Sequence, residues 1–541
     1  NILAAGSISQ QGGLITAREL EMRAGQNISL KDLVIETLIR LKAEQGSITQ
    51  GDGTLLAEGL IAEAGEEIIL NKVALAQVSL EAGGLVQLRE QDDLVVTYSR
   101  SNRFDLEIEQ AGDVELREVI ARSGPLSALI KAKTADGDLL VGLVDSEKEL
   151  ELYINGKIVE NSEDSAADLV AERAAIFHKS QFKLQTALSE LALLKYGKTS
   201  VDFTNIGNLL ITRLQGDKVI PYPQVPTGDE IVDYSGIAGV ANQSALSTYR
   251  IGVEGNLTLQ GFENHARTFR TDITGDLVLD TDLSSHRVDH FVGGKVTTVA
   301  DRTYNSERHY YKATDAELSG SFTGVVSDFT LDYTGEATID IASLTTNRFV
   351  AQHGSSLHVV QLSGSLQEVT LQPVSGGIVI DRMEIEGDLL NIMPASGDIV
   401  IGEITGNLRL LNIMAVNGNV TISNISGSIE HLLISSASGD IEIENLSLSS
   451  CQSAQILAYN GSLTRGAIQT GLATPYIYAA NGVLNLEGEA VEEDENATGE
   501  THELIVLGGE HQCWLDEIEG VTTFKIEDLS SSWARHIVVS F

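Results

Sequence analysis

Proline, cysteine, aromatic and basic residues are all scarce in this 541-residue chain, which has 7 Pro, 2 Cys, 5% Phe, Trp and Tyr together, and 36 Lys+Arg against 77 Asp+Glu. A chain this long would ordinarily hold three or four globular domains, but so few aromatics exclude large aromatic-rich cores. Two cysteines, Cys451 and Cys513, cannot build a disulfide scaffold or a four-cysteine zinc site. They leave open one bridge tying the carboxyl-terminal part together, or two partly buried thiols. The net charge of -41 repels phosphate backbones and anionic membrane surfaces, so no nucleic-acid partner is expected. No run of 18 apolar residues occurs, which excludes a transmembrane helix. Asn1 is preceded by no initiator Met and followed by no charged-then-apolar leader, so the chain is expected to be a processed product or part of something longer.

Recognisable catalytic signatures are missing as well. There is no Gly-x-Ser-x-Gly, His-Glu-x-x-His or Cys-x-x-Cys, and the Gly197-Lys198-Thr199 triplet has Ala192 where a phosphate-binding loop needs glycine.

What the chain has is glycine, 51 of them, and many keep time. Gly397, Gly418, Gly439, Gly461 and Gly482 are spaced by 21, 21, 22 and 21 residues. Between them run units such as ASGDIVIGEITGNLRLLNIM and VNGNVTISNISGSIEHLLIS, each a small-polar turn followed by alternating β-branched residues. Such a unit cannot bury its apolar face alone, so neighbours must stack. The first third repeats the idea less strictly in LEMRAGQNISL, LIAEAGEEIIL and LEIEQAGDVEL, with Gly25, Gly46, Gly65, Gly83 and Gly112 as markers at spacings of 21, 19, 18 and 29. Strict alternation marks strands with one buried face, and glycine suits the corners between them. The expected fold is all-β: a parallel β-helix, or β-solenoid, with coils of about 21 residues and strands stacked about 4.8 Å apart.

Five segments are expected. Residues 1–215 form a first solenoid segment, and 216–239 a junction carrying Pro221, Pro223 and Pro226. Residues 240–330 form an irregular segment with longer strands and a basic, aromatic strip, and 331–487 hold the regular coils. Residues 488–541 hold an acidic loop and capping coils with Trp514 and Trp533. The stretch 163–197 has helix-forming composition and, from its residues alone, reads as part helical.

The phrases LEMRAGQNISL and LKAEQGSITQ, the longer ADGDLLVGLVDSEKELELYINGKIVENSEDSAADLVAERAAI, and LQTALSELALLKYGKTSVDFTNIGNLLI resemble the repeats of filamentous haemagglutinin-like secreted bacterial exoproteins. The resemblance covers residues 1–215 and, more loosely, 335–485. It is a repeat-level likeness without a catalytic motif. It implies a right-handed parallel β-helix, with strands or a short helix laid against the coil over 163–197, export to the cell surface or medium, and work as an adhesin or structural fibre rather than as an enzyme.

Between Glu263 and Lys312 the charge is close to neutral inside an acidic chain. Arg267, Arg270, Arg287, Lys295, Arg302 and Arg308 lie there with His265, His286, His290 and His309, beside Tyr304, Tyr310 and Tyr311. Arg and Tyr favour contact surfaces, so Arg267, Arg270, Arg287, Arg302, Tyr304, Arg308, His309, Tyr310 and Tyr311 are the expected self-association or glycan-contact residues. The expected partners are copies of the chain, other cell-surface proteins, or glycans. His286 and His290 would share a face of a strand and could approach one cation with His265 or His309, although no metal site is expected. No cofactor is expected either; calcium is the ion that the carboxylates, including Glu492, Glu493, Asp494 and Glu495, would suit. Asp276, Asp280 and Asp282 with Arg287 nearby support the alternative of a polysaccharide lyase or hydrolase. A passive adhesin stalk is the other alternative.

Overall fold

The computed structural model describes residues 1–124, 126–161, 166–195, 200–216, 248–260, 267–469, 476–479 and 484–486. The proline-bearing junction from 217, the acidic strip, Cys513, both tryptophans, His265 and the Gly197–Thr199 triplet lie outside these residues. Two compact units divide the chain: Asn1–Lys295 with Arg302–Ser306, and Val296–Asp301 with the residues from Glu307 onward. No described residue is helical. Within each unit the strands pair in parallel, one coil upon the next. The parallel β-solenoid read from the sequence is the fold of both units.

In the first unit, alternation sends every second side chain inward, and parallel register stacks like upon like. Leu33, Leu55 and Val73 form one column; Ile28, Ile48, Ile68 and Val86 form another. All seven are fully buried. Each such side chain contributes about 1.5–3 kcal/mol relative to exposure. Residues 166–195, for all their helix-forming composition, make the strands Leu169–His178 and Phe182–Lys195. These pair from Leu169↔Thr186 to His178↔Lys195. Each strand finds hydrogen-bond partners on both edges, and that tertiary ladder overrides local propensity.

The drifting period of this unit has a structural cause. Backbone hydrogen bonds stack Gly25 on Ala4, Gly65 on Ala43, Gly83 on Ala64, and then Asn102 on Gly84 and Arg122 on Ser101. Gly112 is not in this column. It belongs to a second corner, where the Asp93, Asp113 and Asp138 carboxylates accept the N–H of Asp113 (2.7 Å), Asp138 (2.8 Å) and Lys157 (2.8 Å), each one coil further on. The 29-residue gap therefore joined two different corners.

Pairing in this unit also slips, for example between Ala17 and Glu19, Val34 and Leu38, and Leu70 and Val73. A slip leaves backbone groups without a ladder partner, and buried polar side chains replace it. Glu90 accepts the N–H of Leu75 (3.0 Å) and of Gln91 (2.8 Å). Gln50 donates to the carbonyls of Gly53 and Lys72 and accepts the N–H of Lys72. The strand Phe182–Lys195 changes partner between Thr186 and Glu190. Asn205 fills that break, accepting from Leu188 N (2.8 Å) and Thr186 Oγ1 (2.9 Å) and donating to the Leu188 and Gly207 carbonyls (both 3.1 Å).

The expectation of longer strands after residue 240 is not met: Thr248–Glu254, Thr268–Ile273 and Arg287–Val292 span 7, 6 and 6 residues, and Asp315–Val326, with 12, is shorter than Ile68–Ala82 with 15. Seventeen-residue strands come later, in Glu336–Gln352, Ser356–Gln372, Ile399–Ala415 and Val420–Ser436.

In the second unit, from Leu357 to Ile443, the 21-residue beat is exact in register. Leu357, Ile378, Ile399, Val420 and Ile441 form one column, and Val359, Ile380, Ile401, Ile422 and Ile443 the next. The glycine column has a steric cause. A Cβ on Gly418 would stand 2.1 Å from the Gly397 oxygen, one on Gly439 2.1 Å from the Gly418 oxygen, and one on Gly461 2.2 Å from the Gly439 oxygen. Gly397 itself has φ of +97°, which excludes most side chains. The Asp or Asn after each glycine staples the coils. Asp398, Asn419 and Asp440 accept the N–H of Asn419 (2.7 Å), Asp440 (2.9 Å) and Ser462 (2.7 Å).

Candidate functional site

The basic, aromatic strip divides between the two units. In the first, the strand Thr268–Ile273 places Phe269, Thr271 and Ile273 inward and Arg270 and Asp272 outward. Arg250 and Arg270 fall in register and both hold Asp272, Arg250 at 3.2 Å and Arg270 at 2.9 and 2.7 Å. Burial pushes the Asp272 carboxyl up, but the hydrogen bonds from Arg270 and Arg250 outweigh it and hold it below the usual carboxylate range. The Arg270 guanidinium also lies 4.4 Å from the Phe291 ring centre. Arg287 pairs with Asp289 at 2.5 Å, and Arg302 grips Asp280 at 3.0 and 2.8 Å. Arg267 is exposed. Tyr304 is fully buried, and its hydroxyl donates to the Leu279 carbonyl at 2.7 Å.

In the second unit the strand Arg308–Ala313 sorts its residues by period two. His309 and Tyr311 are fully buried, while Arg308 and Tyr310 are half-buried. His309 packs against Tyr311, Phe322 and Phe329 at ring distances of 6.0, 5.3 and 5.4 Å. Burial pulls its imidazole down to about 3. Arg308 and Arg348 face Asp328 at 4.0 and 3.8 Å, and the Tyr310 hydroxyl reaches Asp332 at 3.4 Å.

Tyr304, His309 and Tyr311 are thus core residues and present nothing to a partner. Composition showed a cluster, but alternation turned half of it inward. The outward arginines Arg270, Arg287, Arg302 and Arg308 face carboxylates of their own or a neighbouring coil; the half-exposed pairs of Arg270, Arg302 and Arg308 are worth about 0.2–1 kcal/mol each, while Arg287 reaches the buried Asp289.

The other expected groups are likewise used within the fold. Asp276 and Asp282 accept the N–H of Lys295 and Thr303, both at 2.8 Å, and Asp280 holds Arg302. His286 is exposed whereas His290 is fully buried against Thr271 Oγ1 at 2.7 Å. The two do not share a face, because His286 stands before the strand Arg287–Val292 begins. Among the described residues no group of three or more His, Cys, Asp or Glu is placed to hold a metal ion. Cys451 is half-buried, and its thiol donates to the Ser453 carbonyl at 3.2 Å.

One cluster had no counterpart in the sequence reading. Asp105, Lys131 and Glu151 fall in register on three successive coils of the first unit. Lys131 Nζ lies 3.7 Å from Glu151 and 5.8 Å from the Tyr153 ring centre. Beside them, Glu107 is held by Lys133 at 2.8 Å and Arg89 at 3.4 Å. Burial pushes the carboxyls of Asp105 and Glu151 up, against the pull of Lys131. Two sheltered acids on either side of a lysine form a group able to hold or pass a proton. The three residues come from coils of unequal length, so no fixed spacing announces them.

Comparison with protein-family models, with curated proteins and with solved structures found no match to this chain, so its functional reading rests on the geometry of its own coils.

Proposed function

We propose that this chain is an extracellular structural or adhesive β-solenoid, a segment of a larger surface protein or fibre of the filamentous haemagglutinin-like kind. The observation that carries the reading is the use made of its polar groups. Corner carboxylates such as Asp113, Asp138, Asp398 and Asp440 accept the next coil's N–H, and Arg302 and Lys42 pair with acids on adjacent coils. Side chains that bind one coil to the next build a stiff scaffold whose outer faces remain for contact. Antibody raised against the purified chain should label intact cells and the growth medium of the source organism, and beads coated with the chain should adhere to glycan or cell surfaces. Recovery only from the cell interior would overturn the extracellular part, and inert beads the adhesive part.

Asp105 and Glu151 favour a second reading, a polysaccharide lyase or hydrolase. Their strands lie two coils apart, roughly 10 Å, near the upper end of the carboxyl separation used by inverting glycosidases. Release of reducing ends from acidic or neutral polysaccharides, lost in Asp105→Asn and Glu151→Gln, would establish it. No release from a broad polysaccharide panel would remove it.

A further inference from the structure

On one outer face of the second unit charge disappears. The stretches LLNIMPASG (389–397), LLNIMAVNG (410–418), HLLISSASG (431–439) and SAQILAYNG (453–461) contain no Asp, Glu, Lys or Arg. At the chain's charged content of 21%, about eight would be expected there by composition alone. The stretches lie directly over one another, with Leu389↔Leu410↔His431↔Ser453 and Asn391↔Asn412↔Leu433↔Gln455 in register. Their alternate residues Leu390, Ile392, Leu411, Ile413, Leu432 and Ile434 fill the core.

Of the remaining residues Ser435, Ser436 and Leu457 are buried as well, and those that reach the surface are apolar, amide or hydroxyl apart from His431. Leu389, Met393, Leu410, Met414 and Leu433 are half-buried, and at the adjoining corner Val374 and Val416 are 50% and 41% exposed. Asn391 and Asn412 are joined across the coils at 3.3 Å. Below Leu389 the strip ends at Glu368. Elsewhere on the outside of these coils acids recur, among them Asp381, Glu384, Asp398, Glu403 and Glu442, beside the exposed Val379 and Val400. An outward sheet face without charge, on a chain of net charge -41, is not needed for folding or for solubility.

We infer that this strip is the contact surface for a second copy of the chain, the two copies packing face to face about a two-fold axis. Electrostatics selects the occupant. Two copies brought together through the faces that carry these acids oppose carboxylate to carboxylate, whereas the strip meets its own equivalent without a like-charge pair. The geometry agrees, since both sheets carry the same columns at the same strand spacing, and sheets pack face to face about 10 Å apart. The size sets the strength. Four coils by about eight residues cover roughly 500 Å² per copy, so a pair buries about 1,000 Å², at the low end for specific association. The dimer is accordingly weak and concentration-dependent, and salt strengthens it by screening the net charge of each copy. The inference does not depend on an extracellular location.

Sedimentation velocity of the full chain over about 1–100 μM, in low and high salt, tests it. The expected result is a dimer that grows with concentration and with salt. Leu410→Glu with Leu433→Glu should weaken it at least tenfold while circular dichroism is unchanged. If that variant does not fold, Leu410→Asn with Leu433→Ser should weaken it in the same direction. Val379→Glu with Val400→Glu, on a different outer face, should leave it intact. A chain monomeric up to about 100 μM in high salt overturns the inference, as does a dimer indifferent to the Leu410 and Leu433 substitutions. So does a dimer that salt dissolves and Arg302→Glu with Arg308→Glu abolishes, because that result places the contact on the basic strip.

Discussion

The irregular coils near Glu90 and Asn205 and the regular ones between Leu357 and Ile443 solve one problem in two ways. In the regular coils each paired residue meets its equivalent 21 residues on without a slip, so columns of Ile, Leu and Val with a glycine corner suffice. In the first unit the coils differ in length and the pairing slips. There buried polar residues, Gln50, Glu90, Asp168, Thr186 and Asn205 among them, take over what the ladder drops. Periodicity and buried polarity are thus alternatives: a strict repeat is stapled at its exposed corners and buries few polar side chains, and a loose one is held by buried ones.

The difference is broken most severely at the glycine column. Gly439→Val, which drives a side chain into the Gly418 carbonyl, should destabilise the second unit by at least ~3 kcal/mol in urea denaturation. Gly6→Val, with nothing near its Cβ, should change stability by less than ~0.5 kcal/mol. Similar small effects at both positions would show that the strict repeat does not depend on close corner contact.

The buried amides give the next largest contrast. Asn205→Leu strands the Leu188 N–H and the Gly207 carbonyl and should cost about 2–4 kcal/mol, with faster amide exchange at Leu188. Asn412→Leu in the regular coils should be neutral or stabilising by up to ~1 kcal/mol. The Asn412 Oδ1 is buried without a partner among the described residues, and Leu433 already occupies the next position of the column.

The two units should also answer pH in opposite directions. Burial raises the Glu90 carboxyl to about 7, so the protonated form is favoured when folded. Its contribution is complete below about 4.5 and is lost as pH rises through 7. Burial lowers His309 to about 3, so the neutral form is favoured when folded. Its contribution is present above about 6.5 and is lost as pH falls toward 3, by up to about 1.4 kcal/mol per pH unit. Thermal melts between pH 4 and 8 should show the first trend flattened by Glu90→Gln and the second by His309→Phe. Among the side-chain contacts the smallest effect is at Arg302: Arg302→Gln should cost less than ~1 kcal/mol in urea denaturation, because its pair with Asp280 is half-exposed.

The fold was legible because its signals are local and repeated. Alternation announced the strands, and the spacing from Gly397 to Gly461 announced the coil. The candidate contact residues were only half legible. Composition gathered Arg302, Tyr304, Arg308, His309 and Tyr311 in one stretch, but whether a side chain faces out depends on strand phase, and a one-residue error reverses every assignment. Tyr304, His309 and Tyr311 went inward for that reason. Gly112 misled similarly, since a glycine marks a corner without saying which corner of the coil it is.

By itself the sequence determined the all-β class, the 21-residue coil and the acidic surface, because periodicity, glycine and charge act on each coil alone. Tertiary structure decided what depends on register between coils. It placed the Asp105, Lys131 and Glu151 column, set Asn205 in a break of the ladder, and stacked four uncharged stretches into one face. The physical reason is that neighbours in a solenoid lie about 20 residues apart in the chain but only about 4.8 Å apart in space. Only the closed ladder says which residues those neighbours are.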